Sequence, residues 1–234
     1  MKIVTHTEQQ KAWEKEHAEP EALLQMDQNE ASSGVKKFFD FLIQKNFPQK
    51  LTGLEMGCGK GRNVIWLASK AEIKKVYGFD FSSTAIAEAK IRAKSIELKT
   101  DFQVADATEP WSYGKNMFDF AVDCFASTDI ESLKGRVFAA KEFFRVLKPG
   151  AHLFVYALST DDEFHKIMAE KSPTNENGAF VNSLGKFEKS FTEDELIELY
   201  QDLKLVKKER ISKNVTFYGE QYKCYHHWLV FKKR

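Results

Sequence analysis

The chain has 234 residues, 43% of them hydrophobic and 29% charged, with a formal net charge of +1. That composition suits one domain with embellishments and excludes global disorder. The near-zero charge balance argues against a dedicated nucleic-acid binder, whose footprint is basic. Cys58, Cys124 and Cys224 are odd in number and far apart. They give neither a disulfide framework nor a metal spacing, which points to a reducing compartment. No run approaches the about 18 apolar residues of a membrane span, and the first twenty residues hold no apolar leader. A soluble cytoplasmic protein is expected.

Residues 1–31 are polar, with Trp13 the one large apolar anchor before Leu23, Leu24 and Met26. A short helix or two is expected there. Ser32 or Ser33 can cap a helix whose apolar face is Val35, Phe38, Phe39 and Leu42, and Phe47-Pro48 would end it. A strand follows over about 51–56. It runs into Gly57, Gly59 and Gly61, and a helix is predicted to about residue 71. A second strand ends at Asp80, and Ser82 and Ser83 cap a helix to about Lys94. The third strand ends before Asp106-Ala107, and Glu109–Gly114 reads as a loop. Strand four ends at Asp123 and leads into Cys124–Asp129. A long helix follows, with Leu133, Val137, Ala140, Phe144 and Leu147 as its predicted buried stripe. Lys148-Pro149-Gly150 stops it before strand five. Residues 159–190 break the rhythm with a short helix and a turn-rich stretch, read as part of an active-site cover. Thr192–Glu195 is a capping box. Leu205–Ile211 and Tyr222–Phe231 read as two strands, joined through Ser212–Gln221 as an antiparallel pair. The alternation of strands and helices predicts right-handed crossovers and a parallel sheet.

The segment Glu55-Met56-Gly57-Cys58-Gly59-Lys60-Gly61 carries most of the chemistry. A Gly-rich turn between strand and helix brings backbone N–H groups close to a ligand. Asp80, ending the second strand, is placed to accept both hydroxyls of a ribose. Dinucleotide folds prefer G-x-G-x-x-G. Here the order is E-x-G-x-G-x-G, and the preceding acid suits a ligand with a cationic amine rather than one with two phosphates.

This pattern resembles the class I, Rossmann-like S-adenosylmethionine-dependent methyltransferases. Asp106-Ala107 and Arg145-Val146-Leu147-Lys148-Pro149-Gly150 extend the resemblance, which covers about residues 33 to 234. It implies a three-layer α/β fold with a mostly parallel seven-stranded sheet in the order 3-2-1-4-5-7-6, closed by an antiparallel strand. It implies that Glu55, Gly57, Cys58, Gly59 and Gly61 hold the methionine end of the cofactor. Asp80 would hold the ribose and Asp106 with Ala107 the adenine, and Phe81 and Cys124 would complete the cofactor-binding set. Residues 1–31 would act as a lid on a single domain spanning 32–234. The product would be S-adenosylhomocysteine. No N/D-P-P-Y/F stands after strand four, where the chain has Asp123-Cys124-Phe125-Ala126, and no basic domain is appended. Both features favour a small-molecule acceptor over nucleic acid, in a monomer or homodimer without membrane attachment. Gly59–Asn63 followed by Trp66-Leu67-Ala68 is similar to a subset that includes the tellurite-resistance type, which on that one motif would imply a soft chalcogen acceptor. The alternatives are a protein or RNA methyltransferase and a non-catalytic cofactor-binding protein.

No catalytic residue is assigned and no metal site is expected. Asp129 fits either a base near the reacting methyl or the N-cap of the next helix. His165 fits a base or a solvated helix face, and His226 and His227 fit a base or structural residues on opposite faces of a strand. Trp13 fits surface packing or the ligand's neighbourhood, and Trp111 fits the adenine's edge or the edge of the sheet. Phe217, Tyr218 and Tyr222 fit a packed edge or an acceptor wall.

Overall fold

The computed structural model describes residues 3–19, 30–45, 49–96, 99–217 and 219–234. Leu23, Leu24, Met26, Phe47-Pro48, Tyr218 and the side chain of Phe217 fall outside the described residues. In chain order the elements are α1 (His6–Ala18), α2 (Ser33–Ile43), β1 (Leu51–Met56), α3 (Arg62–Ala68), β2 (Ile73–Asp80), α4 (Ser83–Lys94), β3 (Thr100–Val104), β4 (Phe118–Cys124), α5 (Leu133–Val146), β5 (Leu147–Leu158), α6 (Glu163–Lys171), β6 (Ala179–Val181), β7 (Phe187–Lys189), α7 (Glu193–Leu199), β8 (Lys204–Phe217) and β9 (Glu220–Lys232). A 3-10 turn, Ala126–Asp129, follows β4.

One seven-stranded sheet has the order β3-β2-β1-β4-β5-β9-β8, with β6-β7 a separate hairpin. With that hairpin set aside, the order is the 3-2-1-4-5-7-6 expected from the sequence. β1 to β5 run parallel, and β9 pairs antiparallel with both β5 and β8. The strands of the middle are buried on both faces, which is why they read as apolar runs rather than alternating ones. On one face, Val35, Phe38 and Leu42 of α2, Val64 of α3 and Ile86 of α4 pack on Phe120, Phe154 and Trp228. On the other, Ala139, Phe143 and Val146 of α5 and Leu196 of α7 pack on Phe79, Phe118 and Leu153. Each fully buried side chain of this size contributes about 1.5–3 kcal/mol. Among the described residues no helix is long and apolar enough to cross a membrane.

Four local expectations fail. The buried face of α5 is Arg136, Ala139, Ala140, Phe143 and Val146, while Leu133, Val137 and Phe144 face out, with Leu133 63% exposed. The stripe is turned by about one residue because Phe143 stacks edge-on against Trp111 at 4.9 Å. Arg136 turns inward with it, donating to the carbonyl of Ile130 at 2.6 Å and pairing with Glu176. The helix also ends at Val146, so β5 begins at Leu147 and absorbs Lys148-Pro149-Gly150. The closing pair is one long hairpin: Ser212 to Phe217 stay paired with Tyr225 to Glu220, and Gly219, at φ +84°, takes part in the tight turn. Finally, residues 179–189 form the β6–β7 hairpin rather than a loop.

Candidate active site

The carboxyl ends of β1, β2, β3 and β4 converge on one rim, where an open parallel sheet leaves its crevice. A cavity of about 490 Å³ lies over that rim. Its floor comes from the strand ends, its roof from α1, α6 and the β6–β7 hairpin.

The floor begins with the glycines. Gly57, Gly59 and Gly61 have φ of +62°, +51° and +80°, a region that L side chains adopt only at a cost. A Cβ at Gly57 would sit 2.5 Å from Cβ of Ala126, and one at Gly61 2.9 Å from Cζ of Phe102. Gly59 has room around it and needs glycine for its φ alone. The Gly59 N–H donates to Oδ2 of Asp80 and the Ser82 N–H to Oδ1, both at 2.9 Å. These bonds fix the carboxyl at the head of the loop. Burial raises the Asp80 carboxyl to about 6 despite those two donors.

Glu55 is 2% exposed. Its Oε1 accepts from Nδ2 of Asn63 at 2.7 Å, and Asn63 Oδ1 accepts from the Ser32 N–H at 2.8 Å. Its Oε2 is buried with no hydrogen-bond partner. Burial pushes the Glu55 carboxyl up to about 8 against the Asn63 bond. A carboxyl left half-satisfied in a dry site is costly, and a cationic donor is the partner it lacks.

Asp106 is held by the N–H and hydroxyl of Thr108, at 2.7 and 2.8 Å on Oδ1. Its Oδ2 meets Nε2 of His6 at 2.6 Å, and Nδ1 of His6 meets Oε1 of Glu131 at 3.1 Å. Burial would lower the His6 pKa, but the two carboxylates outweigh it and raise it. Phe81 lies beside them, its ring 6.3 Å from that of His6. Cys58 and Cys124 are free thiols whose pKa burial raises, Cys124 to about 12. Burial thus favours the thiol over the thiolate at both positions.

The loop after β4 is pinned from below. Asp123 is fully buried, its Oδ1 accepting from the Ser127 N–H at 3.0 Å and its Oδ2 from the Tyr200 hydroxyl at 2.5 Å. Phe125 has a left-handed φ of +68°, held by its N–H to the Tyr156 carbonyl at 2.8 Å. A non-glycine residue in that region stores on the order of 1 kcal/mol of strain.

The roof is tied on by α1. Gln9, with no exposure, donates from Nε2 to the carbonyls of Asp129 (2.6 Å) and Phe187 (3.0 Å), and its Oε1 accepts from the Phe187 N–H at 2.8 Å. Glu14 Oε1 accepts from the Thr84 N–H at 3.1 Å and from the hydroxyls of Ser83 and Thr84 at 2.8 and 2.7 Å, so it caps the start of α4. Lys186 pairs with Glu16, and its Nζ stands 3.8 Å from the centroid of Trp13.

Trp13 lines the cavity, whereas Trp111 is core, donating from Nε1 to the Ala107 carbonyl at 3.1 Å. His165 is buried rather than solvated. Its Nδ1 is 2.7 Å from Oδ1 of Asp162 and its Nε2 3.6 Å from Oε2 of Glu188. Burial alone would lower its pKa, but those carboxylates raise it to about 9. Asp129 is not the cap of α5, because Ser132 takes that place, its Oγ accepting from the Gly135 N–H at 3.1 Å. Asp129 lines the cavity instead. His226 and His227 bond Tyr156 and the Phe191 carbonyl and stay away from the rim. Tyr222 packs on Phe164 at 5.4 Å, one shell behind the wall.

Residues 54–150 match the family described as methyltransferase domain. The chain is 32% identical over 159 residues to O-methyltransferase 3 of Dictyostelium discoideum, covering 65% of this chain and 36% of that protein. It is 28% identical over 120 residues to a demethylmenaquinone methyltransferase of Bacteroides fragilis, covering 50% of this chain and 46% of the other. It therefore spans less than half the length of these curated relatives. The crystal structure of a SAM-dependent methyltransferase from Methanosarcina mazei superposes with a TM-score of 0.70 at 28% identity, over 82% of this chain and 96% of that one. Residues 54–150 thus match a methyltransferase domain, and the sheet order is that of the class I methyltransferase fold.

Every residue assigned to the cofactor from the sequence except Gly61 (Glu55, Gly57, Cys58, Gly59, Asp80, Phe81, Asp106, Ala107 and Cys124) lines this cavity. The roof residues His6, Gln9, Glu16, His17, Lys186 and Glu188 escaped sequence reasoning. Two local signals existed. Thr5-His6-Thr7-Glu8 is a complete capping box that starts α1. Lys186-Phe187-Glu188 alternates as a strand does.

Proposed function

We propose that the protein is an S-adenosylmethionine-dependent methyltransferase acting on a small molecule. The observation that carries this is the buried Glu55 carboxyl with a free Oε2, beside a loop of three left-handed glycines at the mouth of a cavity. A cationic amine satisfies Glu55, and the glycines leave a cradle that a Cβ would fill at Gly57. Glu55, Gly57, Cys58, Gly59 and Gly61 would hold the methionine end, Asp80 and Phe81 the ribose, and Asp106 and Ala107 the adenine, with Cys124 closing the set. The cofactor supplies a methyl group already activated on a sulfonium. The chain then has to align an acceptor with it and keep water out, and good alignment of two reactants is worth on the order of 7–11 kcal/mol.

A small acceptor is favoured by the roof. α1, α6 and the β6–β7 hairpin cover the rim, and about 490 Å³ is within the range for small ligands. A macromolecular acceptor would require that roof to lift away. Three free thiols, Cys58, Cys124 and Cys224, support a reducing, cytoplasmic setting.

Calorimetric titration with S-adenosylhomocysteine tests the reading. Micromolar binding is expected for the parent. Asp80→Ala should weaken it by tenfold or more, the loss of a hydrogen-bonded charged group being about 1.5–3 kcal/mol. A folded parent that does not bind would overturn the cofactor assignment.

A further inference from the structure

The cofactor's residues take up the floor of the cavity. The remaining wall is the roof together with Thr128 and Asp129, and this is the space left for an acceptor. Its apolar part is Trp13, Phe164, Met168, Phe180 and Leu184. That lining suits a hydrophobic body.

The charges of this wall are unevenly committed. Lys186 is taken by Glu16 and lies on the Trp13 ring. His165 is taken by Asp162 and Glu188. Glu188 also accepts from Nδ2 of Asn182 at 2.6 Å, and Asp162 accepts from the Tyr225 N–H at 3.0 Å. Both roof cations are therefore spoken for. Asp129 is different. Its carbonyl accepts from Gln9, but its carboxyl has no hydrogen-bond donor among the described residues. Its neighbours Glu188, Glu16 and Asp123 repel it, and Lys186 alone opposes them. An anionic acceptor entering this space would meet Asp129 and Glu188 and find no uncommitted cation on the roof. A cationic one would find an uncommitted carboxyl.

A second observation marks the same wall as a polar ligand's site. Thr128, 2% exposed and on the same wall, has a buried Oγ1 with no partner. His17, 8% exposed on the facing helix, has an unpartnered Nδ1. Buried polar atoms are rarely left unpaired unless something else pairs with them. A nitrogen bearing more than one N–H offers more donors than Asp129 alone can take.

We infer that the acceptor is a hydrophobic amine and that Asp129 binds its nitrogen. This rests on the methyltransferase reading above and names the substrate class of the same site. The amine arrives as an ammonium and pairs with the Asp129 carboxylate. It passes one proton to that carboxylate and keeps the freed lone pair on nitrogen. The lone pair forms the new N–C bond to the methyl carbon as the C–S bond breaks, and that bond's electrons go to sulfur. The positive charge moves from sulfur to the N-methylated product, and Asp129 holds the proton until product leaves. Burial first, and then the neighbouring Glu188, raise the Asp129 carboxyl; the ammonium's charge draws it into the ionised form on pairing, and the raised value narrows the gap the proton must cross.

The test uses a matched set on one skeleton: 2-phenylethylamine, 2-phenylethanethiol and 3-phenylpropanoate. Each is titrated into the full chain saturated with S-adenosylhomocysteine, and transfer of labelled methyl from S-adenosylmethionine is followed in parallel. The amine should bind at least tenfold more tightly than the carboxylate and the thiol, and should be the member that is methylated. Asp129→Asn should cut amine affinity at least tenfold while leaving S-adenosylhomocysteine within twofold and binding 3-phenylpropanoate no more weakly than the parent does. Thr128→Val, nearly isosteric, should cost the amine a few-fold. The amine-to-carboxylate ratio is a readout that a purely structural Asp129 would not move. Equal or tighter binding of the carboxylate or thiol would overturn the inference. So would an unchanged ratio in Asp129→Asn, or no binding by any member at millimolar concentration. Failure of S-adenosylhomocysteine to bind the parent is seen before any amine is added, and it removes the cofactor reading itself.

Discussion

Gly57, Gly59, Asp80 and Asp106 each lie within a few residues of a strand's end, and the hydrogen bonds within the floor span 21 residues at most. Asp80 reaches Ser82, Asp106 reaches Thr108, and Glu55 reaches Asn63. The roof over them is assembled from far apart. Gln9 bridges 178 residues to Phe187 and 120 to Asp129, and Glu14 caps a helix 70 residues away. The floor is thus a property of strand–turn–helix units and holds its shape wherever the sheet forms. The roof exists only when three distant segments meet. A ligand-binding floor that is rigid and a cover that opens at lower cost is the expected division, since segments with few local contacts open first.

Variants in the floor and roof should therefore differ in kind. The largest effect is expected at the floor. Gly57→Ala forces a left-handed φ on a residue with a Cβ and drives that Cβ into Ala126. It should destabilise the domain by about 2–3 kcal/mol and abolish S-adenosylhomocysteine binding, read by thermal unfolding and calorimetry. A variant that melts and binds like the parent would show that the loop is not the rigid cradle described.

Glu55→Gln should sharpen the electrostatic part. The Glu55 carboxyl is raised from 4.5 to about 8, so the fold prefers it protonated. Its contribution is fully present below pH 4.5 and is lost as pH rises to about 8. The parent should lose stability relative to the glutamine variant across that window, by up to ~1.4 kcal/mol per unit traversed. A bound ammonium favours the ionised form. At pH 7 cofactor-product binding should thus release a proton in the parent and none in the variant, measurable by calorimetry in buffers of different ionisation enthalpy.

The smallest effect is expected in the roof. Gln9→Ala strands the Phe187 N–H and two carbonyls in a buried place, at about 1–3 kcal/mol. Proteolysis within residues 172–190 should rise about tenfold, the cost falling on local opening. Affinity for S-adenosylhomocysteine should fall no more than about fivefold. A global loss of stability equal to that of Gly57→Ala would erase the distinction between floor and roof.

The same division decides what could be read in advance. The strand order, the glycine loop and the carboxylates at the strand ends are encoded by short patterns, and each is found on the rim as expected. Where partners lie far along the chain, local patterns mislead. Leu133, Val137 and Phe144 have helical spacing, but Trp111 and the inward-turned Arg136 set which face of α5 is buried. Asp129 stands where a cap might, but Ser132 is better placed to meet the first N–H groups of α5. His165 looks solvated until the β6–β7 hairpin brings Glu188 over it. That hairpin is short, and the Asn182–Gly185 turn that forms it interrupts any apolar run.

Amide hydrogen exchange with and without saturating S-adenosylhomocysteine tests the central claim most directly. Slower exchange is predicted in Gly57–Gly61, at Phe81 and Ser82, and in Asp106–Thr108, with a smaller slowing along α1. The outer strand β8 should not change. Protection confined elsewhere, or none at a concentration where calorimetry shows binding, would contradict the placement of the ligand on this floor.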